Sequence, residues 1–440
     1  MSLLTHLLAV LFGSGSWVSV NGLWVELPLL VPQVPEGWLL PSYLSIIIQA
    51  ANAGPLLVTL THRLRPGALN EAAVIYGLIA LGALATLLLG LFWRAVLVVS
   101  GARSSVALLV LTFLLAGVDC TSSVTFLPFM TRLPPRYLPS YFVGEGVSGL
   151  LPALVALVQG VGVLRCVNAT GPLNRTLNAS LGGMEARYQP ALFSADVFFF
   201  FLSAMMLVCL AAFVLLNRHP AVLRERCTVA VKAEPPEGRP MMDPRPVMDP
   251  VRPTPQTRRP GFGSGAYSRN QALYIFLVLA WVNALTNTVL PAVQSYSCLP
   301  YGNNAYHLSA ALAAASNPLA CFLAMFLPVR SLVFLGVLTA AGTGIGAYIM
   351  AMAVLSPCPL LVNEAWGGAV VVLAWVLLSL SLSYVKVIIG LILRDEGHSA
   401  LVWCGAVVQL GSLLGAVAMF PLVSVYGFFS SGNPCQTVCP

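Results

Sequence analysis

Residues 283–301 read Asn-Ala-Leu-Thr-Asn-Thr-Val-Leu-Pro-Ala-Val-Gln-Ser-Tyr-Ser-Cys-Leu-Pro-Tyr and close a long apolar run that begins near Gln271. On a helix, Asn283, Asn287 and Gln294 recur at spacings of four and seven, which predicts three amides on one face. Pro291 removes a backbone donor and frees a carbonyl one turn back. Amides and loosened backbone are costly at membrane depth unless they meet a cavity or another helix. The stretch therefore predicts a membrane helix that faces a solute.

The whole chain agrees with that environment. Of its 440 residues 58% are hydrophobic and only 8% charged, against roughly 25% charged in a soluble domain. The composition predicts an all-α membrane protein with no separate soluble domain. The net charge of +7 looks like a nucleic-acid signal until it is located. Ten of the 22 basic residues fall between Arg218 and Arg269, opposed by five acids, and the only aromatics among them are Phe262 and Tyr267. That is a solvated loop, and nucleic-acid binding is not expected. Residues 1–20 are apolar with no Lys or Arg ahead of them, so a retained first span is expected, although Ser14-Gly15-Ser16 resembles a cleavage site.

About 20 apolar residues suffice to cross a bilayer. Eleven such runs are present, at roughly 4–24, 39–60, 72–93, 104–130, 141–164, 193–216, 271–295, 305–327, 331–354, 368–393 and 400–426. Three glycosylation sequons, at Asn168, Asn174 and Asn178, lie between spans five and six and predict an outer loop. Parity then puts the N-terminus inside and the C-terminus outside. Short inner loops hold six arginines (63, 65, 132, 136, 330 and 394) and outer loops five (94, 103, 165, 175 and 187). The basic 218–269 segment, on the inner side, tips the balance. Residues 217–270 also carry ten of the 32 prolines, which predicts a disordered inner linker between bundles 1–216 and 271–440. The same topology puts Cys166, Cys298, Cys358, Cys435 and Cys439 in oxidising space, and a bridge from Cys358 to Cys435 or Cys439 is expected. No histidine accompanies the Cys435–Cys439 pair, so no metal is expected there.

The two bundles look like repeats. Gly149–Val155 in span five resembles Ser412–Ala418 in span eleven, with Leu150 matching Leu413 at an offset of 263. Ser45 with Asn52 resembles Ser309 with Asn317 at 264 and 265, and Pro28 resembles Pro291 at 263. Six spans intervene, so both members of each pair run the same way. Parallel repeats of this kind build transporters with a central site between halves. The expected architecture is therefore eleven helices in two parallel-repeat bundles, either major-facilitator-like or equilibrative-nucleoside-transporter-like.

Trp17, Asn21 and Trp24 are spaced four and three and share a face. Two indoles and an amide suit a flat heteroaromatic solute, through stacking on rings and hydrogen bonds to its edge. Trp24 equally fits an interface anchor and Trp17 a core-packing role. Repeat symmetry sets the amide face of span seven, with Thr286, opposite this one, and Tyr301 is placed in the same solute-facing set. Asn52 and Asn317 lie beside Gly or Pro and are expected to hold kinks. Asp119, Glu145 and Lys386 are ionisable groups inside spans, where they are costly and usually functional or paired. An inner gate formed by Glu145 with Lys386 is one reading, and snorkelling of Lys386 the other. Asp119 fits either titration or a structural pair. His307 is expected near an outer vestibule, either hydrogen-bonded locally or sensing pH. No Walker loop, dinucleotide-binding glycine pattern, His-Glu-x-x-His or nucleophile elbow is present, and no enzyme activity is expected.

Five strings carry a resemblance: Asn-Gly-Leu-Trp-Val-Glu-Leu-Pro (21–28), Thr-Phe-Leu-Pro-Phe (125–129), Asn-Ala-Leu-Thr-Asn (283–287), Ala-Val-Gln-Ser-Tyr-Ser-Cys-Leu-Pro-Tyr-Gly (292–302) and Ser-Tyr-Val-Lys-Val (383–387). Over nearly its whole length the chain resembles the riboflavin transporters, solute carrier family 52. The resemblance implies eleven spans, a cytoplasmic N-terminus and sodium-independent uptake of riboflavin across the plasma membrane. It also implies that the flavin is cargo and not a cofactor. The chain departs from the family pattern at Thr288, where the family has Gly, and in its 165–192 and 217–270 loops. Riboflavin is expected to stack near Trp17 and Trp24, with Asn21, Thr286, Asn287 and Gln294 on its polar edge or ribityl hydroxyls. Proton linkage is expected through Asp119, Glu145 or His307. A nucleoside or nucleobase carrier of the same architecture and a non-transporting receptor are the competing readings.

Overall fold

The computed structural model describes residues 3–64, 70–99, 101–130, 132–161, 164–168, 184–188, 191–225, 267–396, 398–432 and 439. Most of the expected linker (226–266), together with Asn174, Asn178 and Cys435, lies outside the described residues. Among the described residues, ten helices are long and apolar enough to cross a membrane, and the bent pair Leu3–Gly13 and Val18–Leu30 makes an eleventh. Spans two to six are Gly37–Thr61, Glu71–Phe92, Val106–Met130, Pro139–Gln159 and Ala195–Arg218. Spans seven to eleven are Arg269–Tyr301, Asn303–Phe326, Leu332–Val354, Gly367–Leu393 and Trp403–Val425.

Span ends follow local chemistry. The Asn70 side chain accepts from the backbone of Ala72 and Ala73 and starts span three. Ser268 and Gln271 form a capping box that starts span seven. Short antiparallel hairpins pair Leu97–Val99 with Ala102–Ser104 and Leu164–Asn168 with Met184–Tyr188.

Helix packing repeats between the halves. Span one packs on span five as span seven packs on span eleven, and span two on span four as span eight on span ten. Across the seam, span two meets span eleven as span eight meets span five. The first half is centred on Phe12, stacked between Phe126 at 4.5 Å and Phe213 at 5.1 Å. Gly144 brings span five so close to the backbone of Val10 and Gly13 that no Cβ would fit.

The two ends of the molecule differ. At the end carrying the sequon loop, Ser295 donates to the Trp38 carbonyl at 2.6 Å, and Trp38 packs edge-on to Tyr296 at 5.5 Å. Ser42 and Ser424 are in contact at 3.3 Å, and Tyr43 packs on Phe420. Buried Val293, Met419, Val423 and Phe429 fill the space beneath. Toward the linker end, span two breaks at Asn52. Its first part, Leu40–Ala51, stays against span eleven, whereas Ala53–Leu64 packs on span four. The halves are closed at the sequon end.

Candidate cavity between the halves

A cavity of about 380 Å³ lies on the seam, within the range typical of small-molecule sites. Trp17, Asn21 and Trp24 of span one line it, with Thr286, Asn287 and Gln294 of span seven. The two faces placed opposite one another by the repeat do meet. Trp17 and Trp24 both border the cavity and also pack against buried Val20, Ala51 and Ala116.

Span one is broken between Gly13 and Val18, with a bend of 53°. A break at membrane depth leaves donors and carbonyls without helical partners. Two side chains of span four repair it. Asp119 accepts from the Val20 backbone N–H at 2.8 Å, and Ser122 donates to the Ser16 carbonyl at 2.8 Å. Asp119 is fully buried and caps the second part of the span. It is off the cavity wall. The break turns Trp17, the residue ahead of the new helix, toward the cavity with Asn21 and Trp24.

Span seven is irregular at the matching place. A π turn covers Leu285–Val289, and a 3-10 turn follows at Pro291–Val293. Thr286 and Thr288 return hydrogen bonds to the carbonyls of Val282 at 2.9 Å and Ala284 at 3.0 Å. The π turn changes the winding, so the three amides do not form one stripe. Asn287 and Gln294 line the cavity, but Asn283 lies behind them, 2% exposed, donating to Leu279 and accepting from Asn287. Asn287 uses both amide hydrogens, on Asn283 at 3.2 Å and on the Ser412 hydroxyl at 2.9 Å. Its carbonyl oxygen accepts from the Thr286 hydroxyl at 3.2 Å and keeps a second lone pair for a solute. Thr288 is buried and packs against Gly415, where there is no room for a Cβ. Position 288, where the resemblance implies Gly, therefore sits behind the wall, not in it.

Sequence reasoning named Lys386 of span ten but missed the rest of its face. Trp375, Ser379, Ser383 and Lys386 all line the cavity. Their spacings of four, four and three are a helical stripe that was legible in the sequence. Trp375 adds a third indole and donates to the Ser297 hydroxyl at 3.3 Å. Gln49, Asn52, Asn317 and Gln409 complete the polar wall. Asn52 marks the break in span two and contacts Gln49 at 3.2 Å. Asn317 instead stays within a continuous helix and accepts from Ser383.

Other expected residues fall elsewhere. Lys386 does not pair with Glu145 and does not snorkel; its ammonium donates to the Thr286 hydroxyl at 3.2 Å on the cavity wall. Glu145 is half-buried beside the tight contact of Gly144 with span one and is off the wall. His307 is 4% exposed inside span eight, so it borders no vestibule. Tyr301 is also off the wall; its hydroxyl donates to the Leu360 carbonyl at 2.5 Å, because the chain turns away after Pro300 to start span eight. Cys358 is joined to Cys439, with Cα atoms 5.4 Å apart.

Comparisons with known proteins agree with this geometry. A family model described as "Solute carrier family 52, riboflavin transporter" matches residues 1–431. "Riboflavin transporter 2" of Salmo salar is 63% identical over 463 residues, covering 100% of both chains. "Solute carrier family 52, riboflavin transporter, member 3" of Homo sapiens is 50% identical over 480 residues, again covering 100% of both. Among solved structures, a D-xylose-proton symporter superposes with a TM-score of 0.55 at 12% identity, covering 97% of this chain and 91% of that one. The peptide-family transporter PepTSo gives 0.55 at 12% identity, covering 95% and 89%. At that identity the likeness is one of fold, and the fold is that of the major-facilitator transporters. The full-length match to the family model and the identity of its relatives make the chain a member of solute carrier family 52, the riboflavin transporter family.

Proposed function

We propose that this transporter carries riboflavin into cells across the plasma membrane by alternating access, without coupling to sodium. The observation that carries the reading is the seam cavity with three indoles and a ring of amides and hydroxyls. Indole faces suit the isoalloxazine ring. Lys386 donates to the ring carbonyls, the Asn287 carbonyl accepts from the imide N–H between them, and Asn21 and Gln294 serve the ribityl hydroxyls. Riboflavin is cargo here and not a cofactor.

Residues 1–216 rock against 271–440 about the seam. The N-terminus is cytoplasmic, the C-terminus extracellular, and the sequon asparagines 168, 174 and 178 carry glycans outside. In this orientation the present conformation is closed to the outside. Any pH sensitivity of uptake runs through Asp119, Glu145 or His307.

Competition uptake tests the solute. Entry of labelled riboflavin falls with excess flavin analogues and is untouched by excess nucleoside. Suppression by nucleoside instead makes the chain a nucleoside carrier, and absence of flux in proteoliposomes makes it a receptor.

A further inference from the structure

Lys386 is the one charged side chain on the cavity wall among the described residues. Its one hydrogen-bond partner among them is a neutral hydroxyl, that of Thr286. No carboxylate on the wall balances it: Asp119 is engaged behind span one, and Glu145 is off the wall. The neighbouring acceptors are themselves engaged. The Ser412 oxygen receives Asn287, and the Asn317 carbonyl receives Ser383. An ammonium has three N–H donors, and Thr286 takes one. The cavity wall thus carries a positive charge with no counter-charge among the described residues that line it, an arrangement that is costly until a solute supplies acceptors.

We infer that Lys386 sets the charge selectivity of this cavity, admitting flat heteroaromatic solutes that are neutral or anionic and present acceptors along one edge, and excluding cations of the same shape. The inference rests on the flavin reading of the cavity and adds a rule which that reading does not contain. The discrimination is partly repulsive: a cationic solute brings a second positive charge into a confined, partly dehydrated space. At an effective dielectric of about 20 and a separation of several ångströms, the penalty amounts to roughly tenfold or more in affinity. Trp375, one face of the same span-ten stripe, holds the ring while Lys386 addresses its edge.

The test uses the full chain in lipid nanodiscs and three flavins with the same ring: riboflavin, a 10-carboxyalkyl flavin and a 10-aminoalkyl flavin. Quenching of flavin fluorescence reports binding to each. In the wild type the anionic flavin binds at least as well as riboflavin, and the cationic one roughly tenfold more weakly. Lys386→Met removes that order, and Lys386→Arg keeps it. A wild type that shows no penalty for the amine overturns the inference without any variant. A Lys386→Met protein that binds riboflavin and keeps the wild-type charge order also overturns it. Binding of none of the three flavins by the wild type overturns the flavin reading itself, and the inference with it.

Discussion

Asn287 in span seven donates to Ser412 in span eleven at 2.9 Å, and its repeat counterpart Asn21 in span one meets Gly149 in span five, where no side chain can answer. A Cβ added at Gly149 would approach the Asn21 amide nitrogen to 3.3 Å. The two halves thus present one amide held from behind and one amide without that tether. The cavity is asymmetric at the point where its repeats are most alike.

Asn287→Ala removes an amide that both lines the cavity and ties two spans together. Loss of one neutral hydrogen bond costs about 1 kcal/mol, so KM for uptake rises roughly fivefold. Ser412→Ala loosens only the tether and raises KM less. Surface biotinylation alongside uptake separates binding from folding: if surface protein falls in step with uptake, the amide is serving packing alone.

The Ser42–Ser424 contact at 3.3 Å bridges spans two and eleven at the closed end. Cysteines at both positions lie within disulfide reach. Oxidation of the double variant is expected to stop uptake, and reduction to restore it, while each single variant transports normally. Full transport by the cross-linked chain rules out opening at this end.

Glu26 is 1% exposed and accepts from the Gln159 side chain at 3.0 Å, joining span one to span five. Glu26→Gln retains a polar partner and stays near wild-type stability. Glu26→Ala leaves the buried Gln159 amide short of a partner and costs about 1–3 kcal/mol. Thermal unfolding of purified protein reads the difference, and equal melting temperatures for the two variants would refute the pairing.

Gly144 and Gly146 are two residues apart on span five but meet different surroundings. A Cβ at position 144 runs into the Val10 carbonyl, whereas one at 146 makes an ordinary 3.6 Å contact with Pro318. Gly144→Ala therefore separates spans one and five, with a cost of about 1–3 kcal/mol, and Gly146→Ala is tolerated. Yield of folded monomer from detergent measures both.

The spans, their order and their repetition were legible because crossing a bilayer is a property of one apolar segment at a time. Pro291 and the amides of span seven announced an irregular helix for the same local reason. Trp375, Ser379, Ser383 and Lys386 announced a face as well, by spacing alone. What the chain could not declare by itself was partnership between distant side chains. Asp119 became a helix cap because span one breaks at Gly13 and bares the Val20 N–H beside it. Lys386 found Thr286 instead of Glu145 because helix packing turned it to the cavity. Tyr301 lies off the cavity wall with its hydroxyl on the Leu360 carbonyl, and Cys358 is joined to Cys439. Hydrophobic run length is encoded residue by residue, but a partner for a buried charge or a broken helix end exists only once the spans are packed.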